Sequence, residues 1–385
     1  MQDFKTRGIC PKCESEGPEG TSCARTTCIK RGYHHIPASR LREDELTDPL
    51  VGLMADGYLL LERIGSGAFG RVYLAEQSVV GVRAAIKVLT LDDVPTDQAT
   101  DRIAKFQGEA RAMSQLSHPN IVRVYRYGVF QGGPFLALEF IDDARTLADE
   151  MDLRETSDRW FSLDESRIIL TQLLDALDAA HDKGIVHRDI KPENLMLQQT
   201  AGDQVTVRVL DFGIAKFMEE GDTTQHVIGT PIYMAPEQLH QRKIGPQTDL
   251  YAVAVLVCEL LTGCPPFATK KVPEVFRQKV DPYHDPGEEI VSLGLSARHV
   301  TFFRRALAVE PSDRYASGAA FREAMLDLFA PSTFPPNLIP APKSKPLPAA
   351  PPANAATFRN WLAREGERLA VTELEIGVDL SDTEN

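Results

Sequence analysis

Between positions 187 and 194 the chain reads His187-Arg188-Asp189-Ile190-Lys191-Pro192-Glu193-Asn194, and the apolar run Leu195-Met196-Leu197 follows. Seventeen residues after Asn194 comes Asp211-Phe212-Gly213, led in by the alternating Val205-Thr206-Val207-Arg208-Val209-Leu210. Two short β patterns therefore flank a polar loop. Asp189, Asn194 and Asp211 offer oxygen donors of the kind that hard divalent cations take. A carboxylate and an ammonium two residues apart, Asp189 and Lys191, can orient a hydroxyl and neutralise charge near it. The chemistry this set suits is phosphoryl transfer, which depends on positioning and charge neutralisation more than on covalent participation.

Several elements must place these groups. Tyr58-Leu59-Leu60-Leu61-Glu62-Arg63-Ile64 opens a strand that enters Gly65-Ser66-Gly67-Ala68-Phe69-Gly70. After the last glycine Arg71-Val72-Tyr73-Leu74 alternates as a strand, whereas a dinucleotide-binding turn would open a helix there. A glycine hairpin of this sort lets backbone N–H groups approach phosphates with no Cβ in the way. Ala84-Ala85-Ile86-Lys87-Val88-Leu89 is an apolar strand with a single Lys, and Arg102 to Leu116 reads as a helix carrying Glu109. Phe135 to Ile141 reads as a buried strand. From Leu163 to Lys183 apolar residues recur at helical spacing (Ile168, Ile169, Leu173, Leu174, Leu177, Ala180) and Gly184 suits the cap. Leu250 to Leu261, broken by Glu259, is too short to span a bilayer and reads as a buried helix.

The loop and the Asp-Phe-Gly, in this order and at this distance, resemble the catalytic loop and metal-binding motif of eukaryotic-type (Hanks-type) serine/threonine protein kinases, in a bacterial style. The resemblance spans 57–329 and implies an α+β, bilobal fold with a β-rich N-lobe and a helical C-lobe. It implies ATP with Mg²⁺ or Mn²⁺ as cofactors and protein Ser/Thr hydroxyls as substrates. Asp189 would accept the hydroxyl proton, Lys191 would neutralise the transferring group, and Asn194 and Asp211 would hold the metal. His187 has an ordinary pKa near neutrality, but the metal-dependent mechanism gives the proton-accepting role to Asp189. Lys87 would bind phosphates, held by Glu109. The nucleotide would lie against Ile64, Gly65, Ser66, Gly67, Ala68, Phe69, Gly70, Val72, Ala85, Leu138 and Met196, with its adenine edge on backbone groups of Glu139 and Ile141. Met113, Val124, His187 and Phe212 would form an apolar stack, and Asp249 would cap the catalytic loop. Glu237 would pair with Arg314, and Thr230 would bond Asp189 and Lys191. The adjacency of Arg188 to the catalytic Asp suggests regulation, since a phosphate on Thr223 or Thr224 would pair with it and order the loop.

At 385 residues, 43% apolar and 25% charged, the chain suits a soluble globular protein with a sizeable core. Lys and Arg number 42 against 55 Asp and Glu, a formal charge of −13 that argues against nucleic acid or anionic lipid as partners. No apolar leader follows Met1, so a cytoplasmic location is expected.

Four of the six cysteines fall in residues 1–37: Cys10, Cys13, Cys23 and Cys28. Two pairs in so short a stretch resemble a small zinc ribbon holding a structural Zn²⁺. Two disulfides, which a reducing cytosol disfavours, and an unstructured tail are the competing readings. His34 or His35 could replace one thiolate, though a solvated pair is the plainer account. Residues 38–56 read as a linker. Pro331 to Pro352 marks a Pro-rich linker (330–354), and 355–385 holds Phe358, Trp361, Leu362 and Leu369 on an amphipathic pattern before an acidic end. The ribbon or this C-terminal segment would engage a protein partner. The functional alternatives are a nucleotide-binding pseudokinase scaffold and an assembly module. Intact Lys87, Asp189, Asn194 and Asp211 argue against the first.

Overall fold

A computed structural model describes residues 7–41, 48–67, 70–91, 96–157, 159–200, 204–212, 232–239, 243–267 and 272–329. Ala68, Phe69, Thr223, Thr224, Thr230, the Pro-rich linker and the C-terminal segment lie outside these residues.

The chain opens with β1 (Arg7–Ile9), β2 (Glu16–Pro18), helix α1 (Thr26–Ile29) and β3 (Ile36–Pro37), the strands pairing in the order β2-β1-β3. Then come β4 (Met54–Ala55), β5 (Tyr58–Gly67), β6 (Gly70–Gln77), β7 (Arg83–Leu89), α2 (Thr96–Ser114), β8 (Val124–Phe130) and β9 (Gly133–Glu139). The six strands from β4 form one antiparallel sheet, ordered β4-β5-β6-β7-β9-β8.

The period-two alternation of these strands separates two cores. Ile86 of β7 and Phe135 and Ala137 of β9 face a cluster shared with the N-terminal cysteines. Ala85 of β7 and Leu136 and Leu138 of β9 face the second cluster, which continues into the helical half. The stretch expected to be a linker differs from that reading. Val51, Leu53 and Ala55 are buried in the first cluster and β4 pairs with β5. Short apolar residues spaced by glycine and charge gave no strand-like period there, and burial comes from neighbours on both sides.

The helical half comprises β10 (Ala144–Thr146), α3 (Leu147–Thr156), α4 (Leu163–His181), the hairpin β11 (Leu195–Thr200) and β12 (Gln204–Val209), and helices α5 (Pro236–Leu239), α6 (Pro246–Thr262), α7 (Val272–Val280), α8 (Pro286–Ser292), α9 (Ala297–Ala306) and α10 (Gly318–Leu328). A reciprocal capping box starts α4: Glu165 N–H donates to Ser162 Oγ (3.2 Å) and Ser162 N–H to the Glu165 carboxylate (2.8 Å). The helix buries Ile169, Leu173, Leu174, Leu177 and Ala180, but Ile168 is exposed, because it sits at the edge of the apolar stripe. Helix α6 is apolar nearly all round and lies inside the second cluster.

Candidate active site

The catalytic-loop segment leaves α4 through Gly184 (φ 72°) and enters a polar knot. Asp249, fully buried near the start of α6, accepts from the backbone N–H groups of His187 (2.8 Å) and Arg188 (2.7 Å) and lies 2.7 Å from His181 Nε2. Arg188 takes a left-handed backbone (φ 68°) between these contacts. Burial lowers the pKa of the Arg188 guanidinium, with Asp249 opposing.

His187 is enclosed. Its Nε2–H donates to the Leu210 carbonyl (2.8 Å), and its Nδ1 accepts from the Asp189 N–H (3.2 Å). Both ring nitrogens are thus occupied by backbone, and burial lowers its pKa despite Asp249, so the ring is neutral and holds the loop rather than moving a proton. Its ring stacks on Phe212 with centroids 4.6 Å apart, and Met113 and Val124 lie in the adjoining core.

Asp189, Lys191 and Asn194 meet. Asn194 Nδ2 donates to the Asp189 carbonyl (2.7 Å) and to its Oδ2 (3.0 Å), and Lys191 Nζ lies 3.3 Å from the same Oδ2. The Asn194 amide thereby keeps its own oxygen for another partner. Leu210 N–H donates to the Asn194 carbonyl (2.9 Å), which joins this loop to the strand preceding Asp211.

Lys87 of β7 sits between two carboxylates, 2.9 Å from Glu109 Oε1 of α2 and 2.9 Å from Asp211 Oδ1. Burial opposes its charge, but Asp211 and Glu109 together raise its pKa, so it is an ammonium. Burial, with the nearby Asp211, raises the pKa of Glu109 against the pull of Lys87.

In the sheet, Val72 stands opposite Lys87 and Ala85 opposite Leu138. Gly67 pairs with Gly70, so Gly65, Ser66 and Gly67 lie at the turn end of β5, where Ile64 is exposed. Gly70 has φ 153°, and a Cβ there would fall 1.9 Å from the Val88 carbonyl oxygen, which makes glycine obligatory. Leu138 and Ile141 are buried in the cluster against which Ala85 and, from β11, Met196 pack. Glu139 N–H is committed to the Arg123 carbonyl (2.8 Å).

Beyond the loop, Arg314 and Glu237 form a bidentate pair at 2.7 and 2.9 Å. Two groups were not singled out from the sequence. Lys279 of α7 is buried and donates to the carbonyls of Ile232 (2.5 Å) and Met234 (2.6 Å). Asp48 is buried and accepts from the Tyr73 hydroxyl (3.1 Å). Nothing local in the sequence marks either one, since the Tyr73 hydroxyl and the carbonyls that Lys279 reaches lie 25 or more residues away.

The four N-terminal cysteines converge, with all four Sγ atoms within 4.8 Å of one another. Cys10 and Cys28 are 3.9 Å apart and Cys13 and Cys23 3.6 Å. These are thiol separations, far longer than the ~2.05 Å of a disulfide. They match the edge of about 3.8 Å that a tetrahedron with ~2.3 Å Zn–S bonds requires. Burial pushes the Cys10 thiol up to about 12, whereas Cys13, against its own burial, is brought down to about 6 by hydrogen bonds from Ser15 and the neighbouring thiols. His34 and His35 are turned elsewhere, His34 Nε2 to Ser22 Oγ (3.1 Å) and His35 Nδ1 to Thr21 (3.0 Å).

The protein kinase domain family matches residues 58–326. Serine/threonine-protein kinase Pkn1 of Myxococcus xanthus is 37% identical over 336 residues, 84% of this chain and 46% of Pkn1. PknF of Mycobacterium tuberculosis is 32% identical over 276 residues, 70% of this chain and 56% of PknF. The chain thus spans about half the length of these relatives. The crystal structure of the Mycobacterium tuberculosis PknI kinase domain superposes with a TM-score of 0.54 at 29% identity, covering 72% of this chain and 98% of that domain. Together with the loop that joins Asp189, Lys191 and Asn194 and the Lys87 contacts to Glu109 and Asp211, these matches show that the chain belongs to the Hanks-type protein kinase family, in the company of bacterial serine/threonine kinases.

Proposed function

We propose that this chain transfers the γ-phosphoryl group of ATP to Ser and Thr hydroxyls of proteins in the cytoplasm. The observation that carries the reading is Lys87 held between Glu109 and Asp211 while Asn194 and Lys191 both contact Asp189 Oδ2. A scaffold that only bound nucleotide would have no need of the second group.

Asp189 would orient the substrate hydroxyl and take its proton on its carboxylate. Lys191, already beside that carboxylate, would offset charge on the transferring group. Lys87 would hold phosphate oxygens with an ammonium that Glu109 keeps in place. The donor set suits Mg²⁺ or Mn²⁺, with the Asn194 side-chain oxygen and the Asp211 carboxylate as ligands. Such an ion neutralises charge on the phosphates. Because Glu139 has committed its amide, the adenine edge would meet its carbonyl, between Val72, Ala85 and Leu138 above and Met196 below. Thr230 would steady Asp189 and Lys191, and Arg188 would receive a phosphate placed on Thr223 or Thr224 by autophosphorylation.

We assign the cysteine cluster to one Zn²⁺ held by Cys10, Cys13, Cys23 and Cys28, supported by their spacing and by the burial of three of the four. A protein partner would engage this unit or the C-terminal segment. The test of the kinase reading is incubation with Mg-ATP and a basic Ser/Thr peptide beside Asp189→Asn, with phosphosites mapped. Phosphate on Ser and Thr from the wild type alone is expected. Equal transfer by both proteins would remove the assignment, and nucleotide binding without transfer would favour the scaffold.

A further inference from the structure

A short run of backbone hydrogen bonds joins the cysteine cluster to the strand that enters the glycine turn. Cys23 N–H donates to the Tyr33 carbonyl (2.9 Å), the next residue, His34, donates to Gly52 (2.7 Å), and Gly52 donates to Leu60 of β5 (2.8 Å). Leu60 N–H returns to the Leu53 carbonyl (3.0 Å). Side chains double this connection. The Tyr33 hydroxyl donates to the Pro49 carbonyl (2.8 Å), and the Tyr73 hydroxyl of β6 donates to both oxygens of Asp48 (3.1 and 3.2 Å). Arg63 of β5 lies 3.4 Å from Asp48 Oδ2, and Arg40 pairs with Glu62 of β5 at 3.0 Å. Pro11, between the first two cysteines, sits so close to Gly52 (φ 84°) that a Cβ there would come within 2.5 Å of its ring.

The apolar contacts follow the same line. Cys10, Cys23, Cys28, Tyr33 and Ile36 fall in one buried cluster with Leu60, Tyr73, Ile86 and Phe135. The cysteine unit therefore covers the face of the sheet opposite Lys87 and Ala85. Residues 7–41 are too few to hold a core without a cation or this sheet. In turn, the sheet would expose Leu60, Ile86 and Phe135 to water without that cover.

We propose that a zinc-class divalent cation at Cys10, Cys13, Cys23 and Cys28 is a brace for the nucleotide site, fixing β5 and β6, which carry Gly65, Ser66, Gly67, Gly70 and Val72. This rests on the zinc and ATP assignments above. The two ligands are then linked: the cation strengthens nucleotide binding, and by reciprocity nucleotide strengthens cation binding by the same factor.

The test uses the full chain. Bound zinc is measured by elemental analysis, and Mg²⁺-dependent binding of a fluorescent ATP analogue is compared before and after stripping with a high-affinity chelator. Stripping is expected to weaken nucleotide binding by about 5- to 150-fold, with recovery on adding zinc back. A second measurement on the intact holoprotein needs no stripped state: competition with a chromogenic chelator, with and without Mg-ADP, should show zinc held tighter by a like factor. Tyr73→Phe, which keeps all four thiols, should retain zinc while weakening nucleotide binding and shrinking the reciprocal effect. Unchanged nucleotide affinity in the stripped chain, or zinc affinity indifferent to Mg-ADP, overturns the brace and leaves both assignments standing. A chain that never takes up zinc overturns the metal assignment and the brace with it. Zinc uptake with no nucleotide binding in either state overturns the ATP assignment instead, and the brace falls with it.

Discussion

Glu237 and Arg314 meet across 77 positions of sequence in a two-bonded pair from which water is excluded, each side chain about 1% exposed. Thr248 donates to the same carboxylate (2.7 Å), and the guanidinium also reaches the carbonyls of Ala308, Gln247 and Val309. The pair fastens α5 to the turn that precedes α10. Replacing Arg314 by Ala leaves a buried carboxylate and several carbonyls without their donor. We expect a loss of about 3–5 kcal/mol in unfolding free energy, read by urea denaturation, with Glu237→Gln losing less because it keeps a hydrogen-bond acceptor.

Asp189→Asn keeps the size of the side chain and removes its basicity. We expect kcat to fall by about 10²–10⁴-fold, while nucleotide affinity stays near that of the wild type. Steady-state phosphorylation beside equilibrium nucleotide binding checks this. A parallel fall in both would mean that Asp189 acts through binding.

Gly70→Ala drives a methyl group into the Val88 carbonyl, 1.9 Å away, at a backbone angle that side chains rarely adopt. The strain of such a site is on the order of 1–3 kcal/mol or more. We expect a raised KM for ATP and a lower melting temperature. Gly132→Ala, at a turn with open space around it, should cost less.

Glu259, in α6, has its pKa pushed up to about 7 by burial, against the hydrogen bond it accepts from Tyr233 and with Glu193 adding to the rise. In the unfolded chain the group titrates near 4.5. The folded chain therefore holds the extra proton between these values, and the stabilisation present below about pH 4.5 is lost as pH rises towards about 7. The span corresponds to about 3–4 kcal/mol. Glu259→Gln should remove that slope from the stability profile, which denaturation at a series of pH values would show.

The catalytic loop was legible because its chemistry is local: Asp189, Lys191 and Asn194 lie within six residues, and the fold brings together what the chain already holds close. Lys87 and Glu109 were legible only through family resemblance, since a lone Lys in a strand has no distinguishing period. The cysteine pairs gave the cluster but not its seat. What joins them to the sheet, Asp48 with Tyr73 and Gly52 with Leu60, depends on tertiary contacts in a stretch without hydrophobic period. Lys279 was missed for the same reason, because its acceptors are two backbone carbonyls, which carry no residue type. Ile168 shares the apolar spacing of α4 but not its burial. The width of a helix's buried stripe is decided by its neighbours, and here it stops one residue short.

Asp249 gathers the end of α4, the loop and α6 on a single carboxylate through His181, His187 and Arg188. Its consequence is one of timing. The left-handed turn at Arg188 is held by contacts within the fold itself, through the backbone groups that Asp249 accepts from. On the proposed mechanism each cycle would begin with Asp189 already held, and rearranging the loop would add nothing to the barrier. Differences in speed between variants would then trace to the segments around the loop, with the loop itself a fixed jig.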